Sequence, residues 1–211
     1  MKGHDMNIAI VGAGSVGRAL GHGWLKARHN VTMAVREPDG GKAAELRSQG
    51  FGVVAPKDAA AAADIIVLAV PWTALAPVVR SLGSLGGKTV IDATNPLAPD
   101  MSLALGHDDS AGETVARLAP GARVVKAFNT TGANNMADSA YHGAKLMMLI
   151  AGDDAQAKAS VMSLANDLGF DPIDAGPLSM SRHLEPMAMV WIKLAYAQQM
   201  GRNFGFALLR R

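Results

Sequence analysis

Gly12-Ala13-Gly14-Ser15-Val16-Gly17 carries glycines at the spacing G-x-G-x-x-G. Each glycine of that pattern has a physical task in holding a phosphate. The first permits a tight turn, the second lets the main chain approach a pyrophosphate, and the third allows a helix to pack closely on a strand. The free N–H groups and dipole of the following helix then favour an anion. Here the run directly follows Asn7 to Val11 (NIAIV) and opens a helical pattern, which is the strand–turn–helix context the mechanism demands. An ordinary tight βα turn is the plain alternative.

The end of the next strand selects the dinucleotide. An NAD site places an acidic residue about 20 positions beyond the first glycine, to bind the ribose 2′-hydroxyl. This chain has Val35-Arg36-Glu37, with Arg36 24 positions after Gly12. Arginine suits a 2′-phosphate through paired, charge-assisted hydrogen bonds. The expected cofactor is therefore NADP. On the competing reading, Arg36 is solvated and Glu37 takes the ribose.

Two further strand ends point at the same crevice. Val70-Pro71-Trp72 closes one strand and Thr94-Asn95-Pro96 the next. Ligands of open α/β sheets lie beyond the carboxyl ends of the strands. A proline fixes the exit there, and an asparagine offers both donor and acceptor. Plain turn chemistry would use the same residues. Lys126 reads as a strand residue pointing to solvent or to a phosphate. The histidines at 4, 22, 29, 107, 142 and 183 are scattered, and only His183 lies in a stretch expected to border the cleft. No nucleophile elbow or H-E-x-x-H run is present.

These residues need a scaffold of alternating strands and helices. Strand-like runs cover Asn7 to Val11, Asn30 to Val35, Ile65 to Val70, Lys88 to Ala93, Ala122 to Phe128, Leu146 to Ala151 and Pro172 to Ala175. Helical patterns run from Ser15 to Arg28, through the alanines before Asp64, and from about Asp153 to Leu168. Ser110 and Glu113 form the S-x-x-E of a capping box. A last helix is expected from about Ser181 to Met200, with Met180, Leu184, Met187, Trp191, Leu194 and Tyr196 as an apolar stripe. The fold class is α/β, a Rossmann-type doubly wound, mostly parallel sheet with a small C-terminal α/β extension ending in a long helix. With no linker or repeat, residues 1–211 read as a single body, in which the portion from about 138 to 211 walls a second side of the cleft.

Composition narrows the function. Of 211 residues, 49% are hydrophobic and 18% charged, which excludes a disordered chain. A net charge of +2 without like-charge blocks predicts no nucleic-acid partner. The absence of cysteine excludes disulfides, thiol catalysis and thiolate zinc sites. The longest apolar stretch, Ala59 to Pro71, falls short of the roughly 20 residues a bilayer requires and contains Asp64. The expectation is a soluble, cytoplasmic protein without a membrane partner. Methionine and tryptophan near the chain end suit a homodimer surface or an acceptor-ring pocket.

Taken together, GAGSVG, AVREP, LAVPW, ATNPL, KAFNTTGANNM and DAGPLSMSRHLEP resemble the NADP-dependent reductases of the deazaflavin coenzyme. The same nucleotide-binding unit occurs in transmembrane metalloreductases. The resemblance covers nearly the whole chain, and Asp174 to Pro186 is its most distinctive part. It implies a phosphate loop at Ala13, Gly14, Ser15 and Val16, and a 2′-phosphate pair at Val35 and Arg36. It places nicotinamide-side contacts near Val70, Asn95, Pro96 and Ala133. Val35 stands where these reductases usually have serine, and Asn129 where they tend to have histidine, so the KAFNT form resembles the metalloreductase branch. The acceptor is expected to be a deazaflavin or flavin ring against Ala127 to Thr131, with Asn129, Thr130, Met180 and His183 as substrate-side residues. Direct hydride transfer between two cofactors needs no acid–base residue, and none is expected. An imine or pyrroline reductase and a non-catalytic NADP sensor are the competing functions.

Overall fold

The computed structural model describes residues 5–141 and 143–211, so His4 and His142 lie outside the described residues. The first strand, β1 (Asn7–Val11), is buried from Ile8 onward, and its side chains alternate between two cores. Ile8 and Ile10 join Leu20, Trp24, Phe128 and Phe170, whereas Ala9 and Val11 join Leu75, Val79 and Val115. Burial on both faces is what a parallel strand covered by helices requires.

After β1 come β2 (Asn30–Ala34), β3 (Gly52–Val54), β4 (Ile65–Leu68), β5 (Thr89–Asp92) and β6 (Arg123–Lys126). A small hairpin, β7 (Ala140–Tyr141) and β8 (Ala144–Lys145), precedes β9 (Met147–Gly152) and β10 (Asp171–Gly176). The main sheet has eight strands in the order β10-β9-β6-β5-β4-β1-β2-β3. Every pairing is parallel except β6 with β9. The order turns outward in both directions from β1 and β4, so the crevice of this doubly wound sheet opens between Gly12 and Val70.

Helices α1 (Ser15–Lys26) and α2 (Gly41–Ser48) lie on one face, and α3 (Ala59–Ala62), α4 (Trp72–Ser81) and α5 (Ala111–Leu118) on the other. The first face is completed by α6 (Ala133–Ala137) and α7 (Ala155–Asp167). Trp24 is wholly buried; its indole N–H donates to Leu164 O at 3.1 Å, and its ring meets Phe128 edge-on at 5.6 Å. The expected helix start forms, with half of the capping box: the Ser110 N–H donates to Asp109 Oδ1 and not to Glu113. Ser110 is the N-cap of α5, accepts from Glu113 N, and donates to Glu113 Oε2 at 2.7 Å. The sequence pattern overlooks β3, β7, β8, α2, α4 and α6.

The last α-helix, α8 (Ser181–Ile192), passes into one π turn, Lys193–Ala197, and the chain then leaves helical geometry before the expected end at Met200. From there the tail doubles back. Trp191 donates its indole N–H to Phe204 O at 3.0 Å and stacks on the Phe204 ring, while Met147 N donates to Phe206 O. With Asn134 and Asn135 of α6 donating from Nδ2 to Arg202 O and Phe204 O, these contacts hold the final segment along α6, α8 and β9. Among the described residues, no helix is long and apolar enough to cross a membrane.

Candidate functional site

At the end of β1 the chain turns at Gly12, whose φ is +111°; a Cβ there would strike the carbonyl oxygen of Ala69. Gly17 faces the turn so closely that a Cβ would strike the Gly12 carbonyl. Both positions therefore exclude side chains for reasons internal to the protein. Gly14 differs. It is exposed, has ordinary extended geometry, and would place a Cβ with no protein atom within 4 Å. The open space lies at the N-terminus of α1, where unpaired backbone N–H groups attract anions. Of the neighbours, Ala13 is buried, Val16 half-buried and Ser15 exposed. Arg18 donates to Ala13 O at 3.3 Å and to Glu45 Oε1 at 2.6 Å, tying the turn to α2. This hydrogen bond holds the Glu45 carboxyl below the usual carboxylate range.

The turn opens into a cleft of about 920 Å³. Gly12, Ala13 and Gly14 line it together with Val35, Arg36, Val70 and Pro71, so it gathers seven of the sequence-predicted positions. Sequence reasoning missed Lys42 at the start of α2 and Lys57 after β3, which line the same cleft as Arg36 and supply further positive charge. Glu37 lines it too. The Gly-Gly pair at 40–41, opening a helix after β2, was the signal available for Lys42.

Beyond β5 and β6 a second group assembles. Asn95 donates from Nδ2 to the Asn129 carbonyl at 2.9 Å, and Asn129 donates from Nδ2 to Asn95 Oδ1 at 3.1 Å and to Leu184 O at 3.1 Å. The Asn95 bond to a carbonyl fixes its amide orientation, which in turn fixes that of Asn129. Asn129 Oδ1 remains buried without a partner. Phe128 aims this loop. It is buried with φ +60°, a strained conformation for a bulky residue, and its ring is held between Trp24 and Phe170.

Directly beneath lies a charged cluster in which Lys126 corrects the sequence expectation. Its side chain is fully buried and points neither to solvent nor to a phosphate. Lys126 Nζ donates to Asp92 Oδ2 at 2.8 Å and to Thr94 O at 2.6 Å, and forms a salt bridge with Glu185 Oε1 at 2.8 Å. Asp92 Oδ1 accepts from both the backbone N and the hydroxyl of Thr94. Glu185 also accepts from the backbone N–H groups of Ala111 and Gly112, the first two of α5. Burial pushes the Glu185 carboxyl up, and the adjacent Lys126 charge pulls it back. Asp92 and Lys126 are register partners at the last positions of β5 and β6. Opposite charges at two matching strand ends were the signal for this pair; Glu185, far along the chain, had none.

The remaining predicted positions are scattered around this frame. Pro96 and Thr130 are buried, Ala133 is the half-buried first residue of α6, and Met180 is half-buried before α8. His183 is exposed on α8. Neither Met180 nor His183 hydrogen-bonds the asparagine pair.

Known proteins are similar to this chain in sequence and in fold. Residues 7–96 match the family described as NADP oxidoreductase, coenzyme F420-dependent. A solved structure from Arthrobacter sp. FB24, assigned as an F420-dependent NADP reductase, is 32% identical with a TM-score of 0.88, covering 97% of this chain and 100% of that one. Metalloreductase STEAP3 of Rattus norvegicus is 29% identical over 182 residues, covering 86% of this chain. The chain spans only 36% of that curated relative's length. A reductive aminase from Aspergillus terreus, solved with NADPH4, shares the fold at 22% identity and TM-score 0.68, covering 93% of this chain and 63% of that one.

Proposed function

The chain belongs to the coenzyme F420-dependent NADP oxidoreductase family, and from that membership we propose that it passes hydride between NADP(H) and a planar deazaflavin or flavin ring. The open space at Gly14 fits a pyrophosphate, and Arg36, Lys42 and Lys57 suit the 2′-phosphate. When bound, NADPH would supply a hydride, that is a proton with two electrons, to the acceptor, whose reduced anion would then take a proton from water. The protein's own share is to bind, orient and exclude water.

The observation that carries this reading is the committed charge beyond β5 and β6. Asp92, Lys126 and Glu185 are bonded to one another and to backbone groups, so that wall offers a fixed surface and not a proton donor. An imine that takes hydride at its carbon needs a proton donor at its nitrogen inside the site; a flavin-type ring draws its proton from solvent. The ring lies against Ala127 to Thr131, with Met180 on the second side and exposed His183 at the rim. Asn129 Oδ1 accepts from a ring N–H, because both hydrogens of its amide are already engaged. Exposed Val190, Tyr196 and Met200 support a homodimer contact near the chain end.

Stopped-flow mixing of NADPH-bound protein with a deazaflavin, free flavin and a cyclic imine tests the reading. Nicotinamide absorbance should fall with a ring acceptor and persist with the imine. Asn129→Ala should slow that fall more than it weakens NADPH binding. Tight NADPH binding with no oxidation by any acceptor would identify a dinucleotide sensor instead.

A further inference from the structure

Hydride transfer as proposed leaves Asp92, Lys126 and Glu185 without a chemical task, although their side chains are 0%, 0% and 1% exposed. Stability is a weak explanation, because apolar residues of similar volume often serve a core as well as buried charges do. What the charges supply is direction. Lys126, on β6, holds two acceptors at the exit of β5 and a third on α8, and Glu185 holds two N–H groups of α5. Each member also adjoins the asparagine pair. Asp92 binds Thr94, the neighbour of Asn95; Lys126 lies three positions before Asn129; Glu185 is next in the chain to Leu184, whose carbonyl receives the Asn129 amide.

We propose that this buried cluster is a positioning device, which fixes α8 against the strand ends bearing Asn95 and Asn129 and so sets the width of the site between them. The inference rests on the function above only for the identity of the two ligands. Lys126 and Glu185 are positioning residues, acting through Asn95 and Asn129 and through the placement of α8.

Two variants and three readouts test it. In Glu185→Gln the amide nitrogen cannot accept from an α5 N–H, so one anchor is lost at nearly constant shape. Thr94→Val is isosteric and removes only the hydroxyl that donates to Asp92. The ligand 2′,5′-ADP reports the glycine-turn half alone. Bound-NADPH fluorescence lifetime reports the nicotinamide surroundings, and stopped flow reports hydride transfer. Both variants should keep parental affinity for 2′,5′-ADP. Glu185→Gln should shorten the lifetime and slow transfer at least about tenfold, since misplacement by about 1 Å can cost about a hundredfold. Thr94→Val should shift both readouts in the same direction by less. Unchanged lifetime and rate in both folded variants would overturn the proposal, as would losses that merely track 2′,5′-ADP affinity. Should Glu185→Gln fail to fold, Thr94→Val decides alone. Because the lifetime needs no acceptor, a parent inert toward every acceptor would refute the hydride reading and leave this test standing.

Discussion

Around the glycine turn Gly14, Arg36, Lys42 and Lys57 are exposed and lie close together in sequence. Beyond β5 and β6 the decisive groups are buried and come from positions 92, 126 and 185. The first half meets a ligand that carries its own charge, so solvated cations and an open backbone turn are enough. On the proposed function, the second half must set a dihydronicotinamide against a planar acceptor ring, for which long-range attraction is of little use and rigid geometry matters. The contrast teaches that a binding half and an orienting half of one crevice need different side chains. Substitutions should therefore fail differently in each.

The largest effect belongs to Gly14. Its backbone is extended and its surroundings are empty of protein atoms, so valine fits the fold without strain. Gly14→Val should leave the melting temperature unchanged and abolish binding of both NADPH and 2′,5′-ADP. Retained affinity, measured by calorimetry, would show that the phosphates do not pass over this residue.

A smaller effect is expected at Arg36, which is exposed and shares its cleft with Lys42 and Lys57. A hydrogen bond to a charged group contributes about 1.5–3 kcal/mol. Exposure and the two remaining cations put Arg36→Asp at the lower end, about tenfold weaker for NADPH. NADH, without the 2′-phosphate, should change little. Equal losses for both nucleotides would mean that Glu37 and the ribose hydroxyls decide the choice.

The same division explains what could be read from the amino-acid sequence. Strands β1, β2, β4, β5 and β6 announce themselves because each is a buried run with one strand's periodicity, and Gly12 to Gly17 is a local spacing. By contrast β3 has three residues and α6 five, too few for any period to show. Lys126 looked like a solvated strand lysine because its partners lie 34 and 59 positions away, and only the β5–β6 register and the return of α8 bring them into reach. Asn129 was legible as a polar loop residue; its pairing with Asn95 and Leu184 was not.

The smallest effect lies where α5 meets α8 and sharpens the contrast within a single helix pair. Arg182 grips Glu113 with two bonds, at 2.9 and 2.6 Å, and that pair is partly exposed. The Arg182 hydrogen bonds hold the Glu113 carboxyl below its ordinary 4.5, whereas burial pushes Glu185, one turn along α8, above it. Lowered and raised carboxyls contribute to stability with opposite signs. The Glu113 contribution is fully present above about pH 4.5 and is lost as pH falls through its depressed folded value. The Glu185 contribution runs the other way: it is present below about 4.5 and is lost as pH rises through its raised folded value. Glu113→Gln should therefore flatten the acid side of a melting-temperature profile below about pH 4.5, with only a slight loss at neutral pH because the pair is partly solvated. Glu185→Gln should instead remove the decline above that pH. Profiles that shift in the same direction for both variants would show that exposed and buried carboxyls on this contact are not distinguished by their surroundings.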